Sequence, residues 1–180
     1  MARAAILNAA AKLYADYGYE ATTIRDIASA RGLLPGSIYH YFRSKDQLII
    51  EVFTEGIKHI LTAVCDATKD IDDPWERLEV ACAAHLETLT TGSSLARVLS
   101  KDIPVTSPEV KDAIVALRDQ YESVFAKYVA ALGFATPLEA RIFRLQLLGS
   151  LNSTTKWYRK SSKLKPADIA RQFLSNMKRP

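Results

Sequence analysis

Between residues 25 and 45 the chain gathers side chains that suit a polyanion. Arg25 stands in one short apolar-periodic segment. Ser37, Tyr39, His40 and Tyr41 stand in the next, with Arg43 and Lys45 close behind. The hydroxyls of Ser37 and Tyr39 and the ammonium of Lys45 can hydrogen-bond phosphate oxygens and fix register on a duplex. His40 or Tyr41 can reach base edges, and Arg25 a base or the flanking backbone. Ser37 is small enough to let a helix enter the major groove. Tyr39, His40, Tyr41 and Phe42 are consecutive and cannot all face one core, so some polar-tipped rings must point outward. The plainer alternative is a three-helix subdomain whose outer aromatics pack on neighbouring elements.

Such a face needs rigid support, and the surrounding residues describe it. Thr23-Ile24-Arg25-Asp26 has the form of a capping box opening a helix from Ile24 to Arg31, with Ile27 and Ala28 inward. Gly32-Leu33 makes a tight turn, and Pro35 to Phe42 forms a second short helix. Ala28 lets the two helices approach, Gly32 permits the turn, and Leu33, Ile38 and Phe42 are expected to seal the underside. That is helix-turn-helix geometry.

Similar start signals recur along the 180 residues. Ser44-Lys45-Asp46-Gln47 opens a helix expected to run to about Lys69. Asp73-Pro74-Trp75-Glu76, Ser107-Pro108-Glu109 and Thr136-Pro137-Leu138-Glu139 each place a cap, a proline and an acid in order. Apolar residues between these starts keep helical spacing, and no stretch alternates convincingly with period two. The expectation is an all-α chain of about nine helices, three short ones before residue 43 and six after.

The remaining composition excludes several classes. The net charge of +4 permits a nucleic-acid partner without demanding one. No apolar run is long enough for a bilayer, so a membrane role is not expected. Cys65 and Cys82 have no metal-ligand spacing and read as buried thiols in a reducing cytoplasm. There is no nucleophile elbow, zinc-binding His pair, phosphate loop or telling pair of acids, so neither an enzyme, a metal site nor a cofactor is expected.

The second half offers fewer signals. Ile142, Phe143, Leu145, Leu147, Leu148, Gly149 and Leu151 put apolar or small residues on nearly every side of one helix. A helix apolar all round must be buried all round. A second subunit is expected to supply the outer cover, against Ile142, Leu145, Leu148 and Gly149 and against Phe173 of the last helix. A central helix of a monomeric core is the alternative. His85 follows Leu78 and Cys82 at helical spacing and so faces inward, as a core residue bonded to a neighbour or as a ligand contact. Arg141 and Arg144 read as interface ion pairs or as ligand contacts, with Arg144 the candidate ligand residue.

Residues 5–53, above all TTIRDIASARGLLPGSIYHYFRSKDQL, resemble the DNA-binding domain of the TetR family of bacterial transcriptional repressors. The resemblance rests on the Thr-Thr pair ending at Thr23, the Arg25-Asp26-Ile27-Ala28 core, Gly32, Ser37-Ile38-Tyr39, Phe42 and Ser44-Lys45. It adds Thr23 to the candidate DNA contacts Arg25, Ser37, Tyr39, His40, Tyr41 and Lys45. It implies a cytoplasmic homodimer with reading heads about 34–36 Å apart on a palindromic operator. Residues 1–47 would be the DNA-binding domain and residues 48–180 the ligand-binding and dimerisation domain. Only Arg3 precedes Ile6 where members commonly carry a longer basic arm, so affinity is expected to rest on the helices.

Asn152 to Arg159, followed by Leu164, Pro166, Asp168 and Ile169, is similar to a subset of that family that responds to acyl-CoA thioesters. Lys160-Ser161-Ser162 stands where that subset has Pro-Gly-Gly. Lys156, Arg159, Lys160, Lys163 and Lys165 form a basic cluster, with Trp157 and Arg159 as candidate ligand contacts; a solvated turn is the alternative. The resemblance implies a repressor released by a small apolar or amphipathic effector, such as an acyl-CoA. A helical adaptor of the same fold without DNA binding is the rival, and an enzyme a more distant one.

Overall fold

The structure is a computed structural model that describes residues 2–90, 92–100, 107–159, 161 and 163–178. Among the described residues there are nine helices and no strand. These are α1 (Ala2–Tyr17), α2 (Ile24–Ser29), α3 (Pro35–Tyr39), α4 (Lys45–Thr68), α5 (Pro74–Thr90), α6 (Ser94–Leu99), α7 (Pro108–Ala130), α8 (Pro137–Trp157) and α9 (Pro166–Met177). The start signals act as their residue types require. The amide of Gln47 donates to Ser44 Oγ at 3.0 Å, that of Glu76 to Asp73 Oδ1 at 2.8 Å, and that of Glu139 to Thr136 Oγ1 at 3.2 Å. The expected short first helix is instead sixteen residues long, because six of its residues, from Ile6 to Ala15, enter the core.

The chain packs as two units. The first comprises Met1–Lys58 and Gly92–Arg118. Its core joins Ile6, Ala10 and Tyr14 of α1 to Ile27, Ile38, Phe42, Leu48 and Phe53, and also to Val98 of α6 and Val110 and Ile114 of α7. α6 lies against α1, where Arg97 pairs with Asp16 at 2.6 Å. Gly56 marks a close approach in this unit: a Cβ there would stand 2.9 Å from Leu99 Cδ1.

The second unit comprises His59–Thr91 and Asp119–Pro180. α5 packs on α8 and α9, burying Leu78, Ala81, Cys82, Leu147, Leu151, Ile169 and Leu174. Arg171 of α9 bonds Glu79 of α5 at 2.9 Å, and the Thr68 and Tyr128 hydroxyls share a hydrogen bond of 2.8 Å.

Three expectations need correction. Cys82 is buried but Cys65 is exposed, because it lies on the outer side of α4. On α8, Phe143, Leu147, Leu148 and Leu151 are buried within the chain, while Ile142 and Leu145, expected to meet a second subunit, are 53% and 44% exposed. Leu148 therefore belongs to the protomer's own core, and Phe173 is half-buried. α2 ends at Ser29 and α3 at Tyr39, each earlier than expected; for α2 the reason lies in the turn that follows it.

Candidate nucleic-acid interface

The turn after α2 closes by main-chain bonds. Gly32 has φ +62°, the left-handed conformation that glycine adopts without strain. The amide of Gly32 then donates to the Ser29 carbonyl at 3.0 Å and that of Leu33 to Ala28 at 2.9 Å, the paired closure of a Schellman motif. Leu33 thus seals the turn with its backbone; its side chain is 37% exposed and does not share the core with Ala28, Ile38 and Phe42. That corrects its expected place beneath the motif.

At the other end of α2 the capping box is complete. Asp26 N–H donates to Thr23 Oγ1 at 3.2 Å, while the Thr23 amide and hydroxyl donate to Asp26 Oδ2 at 2.8 and 2.7 Å. These bonds from Thr23 hold the Asp26 carboxyl below the usual carboxylate range. Thr23 is exposed, and so is Arg25 on the next turn.

With Ile38 and Phe42 buried, the rest of the α3 region faces outward. Tyr39 is 53% and Tyr41 43% exposed, His40 is exposed and Ser37 half-buried. The structure therefore presents every candidate DNA contact of this segment at the surface. Lys45 is tethered from the side: its Nζ lies 4.2 Å from the centre of the Tyr19 ring and 3.4 Å from the Glu20 carbonyl oxygen. Tyr19 in turn donates its hydroxyl to Asp46, and burial together with that bond raises the phenol's pKa well above its ordinary value. Arg3, the one basic residue before Ile6, lies with its guanidinium 5.1 Å over the Phe42 ring and pairs with Glu51 at 2.6 Å. Neither pairing has a local sequence signal, since each joins residues far apart in the chain.

The candidate ligand contacts of the second unit are dispersed. His85 is buried against Tyr121, whose hydroxyl bonds Nδ1, and against Phe125. Burial pushes its pKa down to about 4, with Asn152 acting in the opposite direction. Either atom can be the donor in the Tyr121–Nδ1 bond, and Nε2 is buried as well. Arg144 is paired with Glu122 inside the protomer. Trp157 and Arg159 are exposed, Arg159 bonding the Tyr158 carbonyl at 3.2 Å. Lys160 lies outside the described residues. A separate apolar cavity of about 700 Å³ is lined by Trp75, Phe134, Leu138, Ile142, Phe143 and Met177 among others, but not by His85.

Among the described residues no cluster of His, Cys, Asp or Glu could hold a metal ion, and no helix is long and apolar enough to cross a membrane. Residues 6–52 match the bacterial regulatory proteins of the tetR family, and residues 71–179 match the tetracyclin repressor-like C-terminal domain. The chain belongs to the TetR family. It is a TetR-type transcriptional regulator by both regions, and the helix-turn-helix lies within the first. The HTH-type transcriptional repressor KstR2 of Mycolicibacterium smegmatis is 24% identical over 175 residues, covering 94% of this chain and 85% of KstR2. AibR, solved with isovaleryl coenzyme A and operator DNA, superimposes with a TM-score of 0.84 at 24% identity, covering 98% and 97% of the two chains. A protein described as the superantigen PfiT is 31% identical with a TM-score of 0.81, covering 98% of this TetR chain and 95% of its own.

Proposed function

We propose that this TetR-family regulator is a repressor that binds a palindromic operator as a homodimer and is released by a small amphipathic effector, with an acyl-CoA as the leading class. The observation that carries the DNA reading is the outward set Ser37, Tyr39, His40 and Tyr41, mounted on a sealed Ala28–Ile38–Phe42 core. Thr23, Arg25 and Lys45 flank it with groups that suit phosphate. In this reading residues 1–47 contact DNA and residues 48–180 sense and dimerise, and the protein works in the cytoplasm beside its operator.

Dimerisation is supported by the uncovered side of α8. Leu138, Ile142, Leu145 and Gly149 recur at helical spacing there, and a side chain at Gly149 would meet nothing within 4 Å, which leaves room for a close approach. The effector class is supported by KstR2 and by AibR's isovaleryl coenzyme A. Exposed Lys156, Arg159, Lys163 and Lys165 would meet phosphates. α4 belongs partly to each packing unit, so an effector can reach the DNA face through that helix. Reversing a 99:1 occupancy needs about 5.5 kcal/mol of differential affinity between the two states.

The test is fluorescence anisotropy on DNA flanking the protein's own coding region, across a salt series, with and without short- and medium-chain acyl-CoAs. A specific, salt-sensitive complex dissolved by one of them is expected. Absence of any specific complex sinks the reading and leaves the adaptor alternative, a member of the same fold without DNA binding.

A further inference from the structure

The residues just before and within the start of α3 break three local rules at once. Leu34 occupies the N-cap, where Ser, Thr, Asp or Asn would supply a bond to the helix, and it makes no side-chain cap. The residue is 77% exposed, the largest exposure among the large apolar residues of the described chain. Gly36, two residues on, is helical, has no positive φ, and a Cβ there would meet nothing within 4 Å. Neither backbone conformation nor packing within the protomer therefore requires glycine, and glycine weakens a helix. Sequences depart from local preference in this way where function claims the position.

We propose that Leu34 reads sequence: its side chain packs on the 5-methyl group of a thymine in the major groove, and bare Gly36 lets the duplex come close enough. The inference rests on the DNA reading above and sharpens it. The major groove presents one apolar feature, the thymine methyl, and an aliphatic side chain at the start of a recognition helix is placed to meet it. The immediate surroundings favour DNA over a protein partner. Exposed Arg25, Arg31 and Arg43 and the outward hydroxyls of Tyr39 and Tyr41 belong to the same helix-turn-helix, a cationic, hydroxyl-bearing setting that fits phosphates around the groove. Leu34 would then specify a base while those groups fix register.

The experiment uses the full-length protein and the operator defined by footprinting. Each thymine of a half-site is replaced in turn by deoxyuridine, which removes the methyl group and keeps the base pairing. One such position should weaken wild-type binding by about fourfold per half-site, the value of one buried methyl-sized group. Leu34→Ser, which restores a hydroxyl cap and so should not harm folding, should bind the thymine operator more weakly and lose the deoxyuridine effect at that position alone. A specific complex indifferent to every deoxyuridine, or equally sensitive in wild type and Leu34→Ser, overturns the inference while leaving the DNA reading intact. Unchanged DNA binding by Leu34→Ser overturns it too. Loss of any specific complex in the wild type overturns both.

Discussion

Lys45 rests its ammonium on the face of Tyr19, 4.2 Å from the ring centre, although the two lie 26 positions apart in the chain. The ring is itself fixed by its hydroxyl's bond to Asp46. A lysine held this way arrives at a phosphate with much of its side-chain freedom already lost. Lys45→Met should flatten the dependence of log affinity on log salt by about one phosphate contact per protomer. Tyr19→Leu should weaken DNA binding by about two- to fivefold in the presence of Lys45 and have little further effect in Lys45→Met. Additive losses in the double variant would refute the coupling.

His85 links stability to acid. Its folded pKa, about 4, lies below the ordinary 6.5 because burial favours the neutral ring. The unfolded chain therefore binds more protons between those values, and stability falls as pH drops from about 6.5 to about 4, by up to roughly 3 kcal/mol. Urea unfolding at pH 7.5, 6 and 5 measures the slope. His85→Gln should be less stable at neutral pH yet show a shallower loss on acidification; an unchanged slope counts against His85 as its source.

Under the proposed homodimer, the exposed stripe on α8 predicts a clean separation of assembly from folding. Leu145→Arg, at a position 44% exposed within the protomer, should leave helix content and thermal stability near wild type while shifting sedimentation to monomer. Specific operator binding should fall with it, since one half-site contributes only part of the affinity. Leu148→Arg, by contrast, places a charge where the protomer itself is closed and should unfold it.

At Gly56 two effects oppose each other. Gly56→Ala gains about 1 kcal/mol of helix propensity. It also sets a Cβ 2.9 Å from Leu99 Cδ1, an overpacking that costs about 1–3 kcal/mol. A net destabilisation of about 1 kcal/mol is expected in chemical denaturation, and it should disappear against a Leu99→Ala background. Equal effects in both backgrounds would show that Leu99 is not the obstacle.

Features written in short stretches of chain were legible in the sequence. Thr23, Ser44, Asp73 and Thr136 cap because a side-chain oxygen within three residues of a free amide needs no tertiary help. Gly32 closes the turn for an equally local reason. Tertiary pairing was not legible. Arg3 with Phe42 and Glu51, Lys45 with Tyr19, and Arg144 with Glu122 each join charges to partners many residues distant. Apolar type also does not fix burial: Leu33 looks like a core residue by spacing and stands half open.

The first packing unit is discontinuous, since α6 and the start of α7 complete the core that α1 to α4 begin. The reading head is consequently not a transplantable module. A fragment ending at Lys58 would uncover the surface that Val98, Val110 and Ile114 close, and lose the Arg97–Asp16 pair. Chimaeras that exchange operator specificity between such regulators must carry residues 92–118 with the N-terminal helices, or graft only the surface side chains. Recombination at a single crossover would yield a head with an open seam.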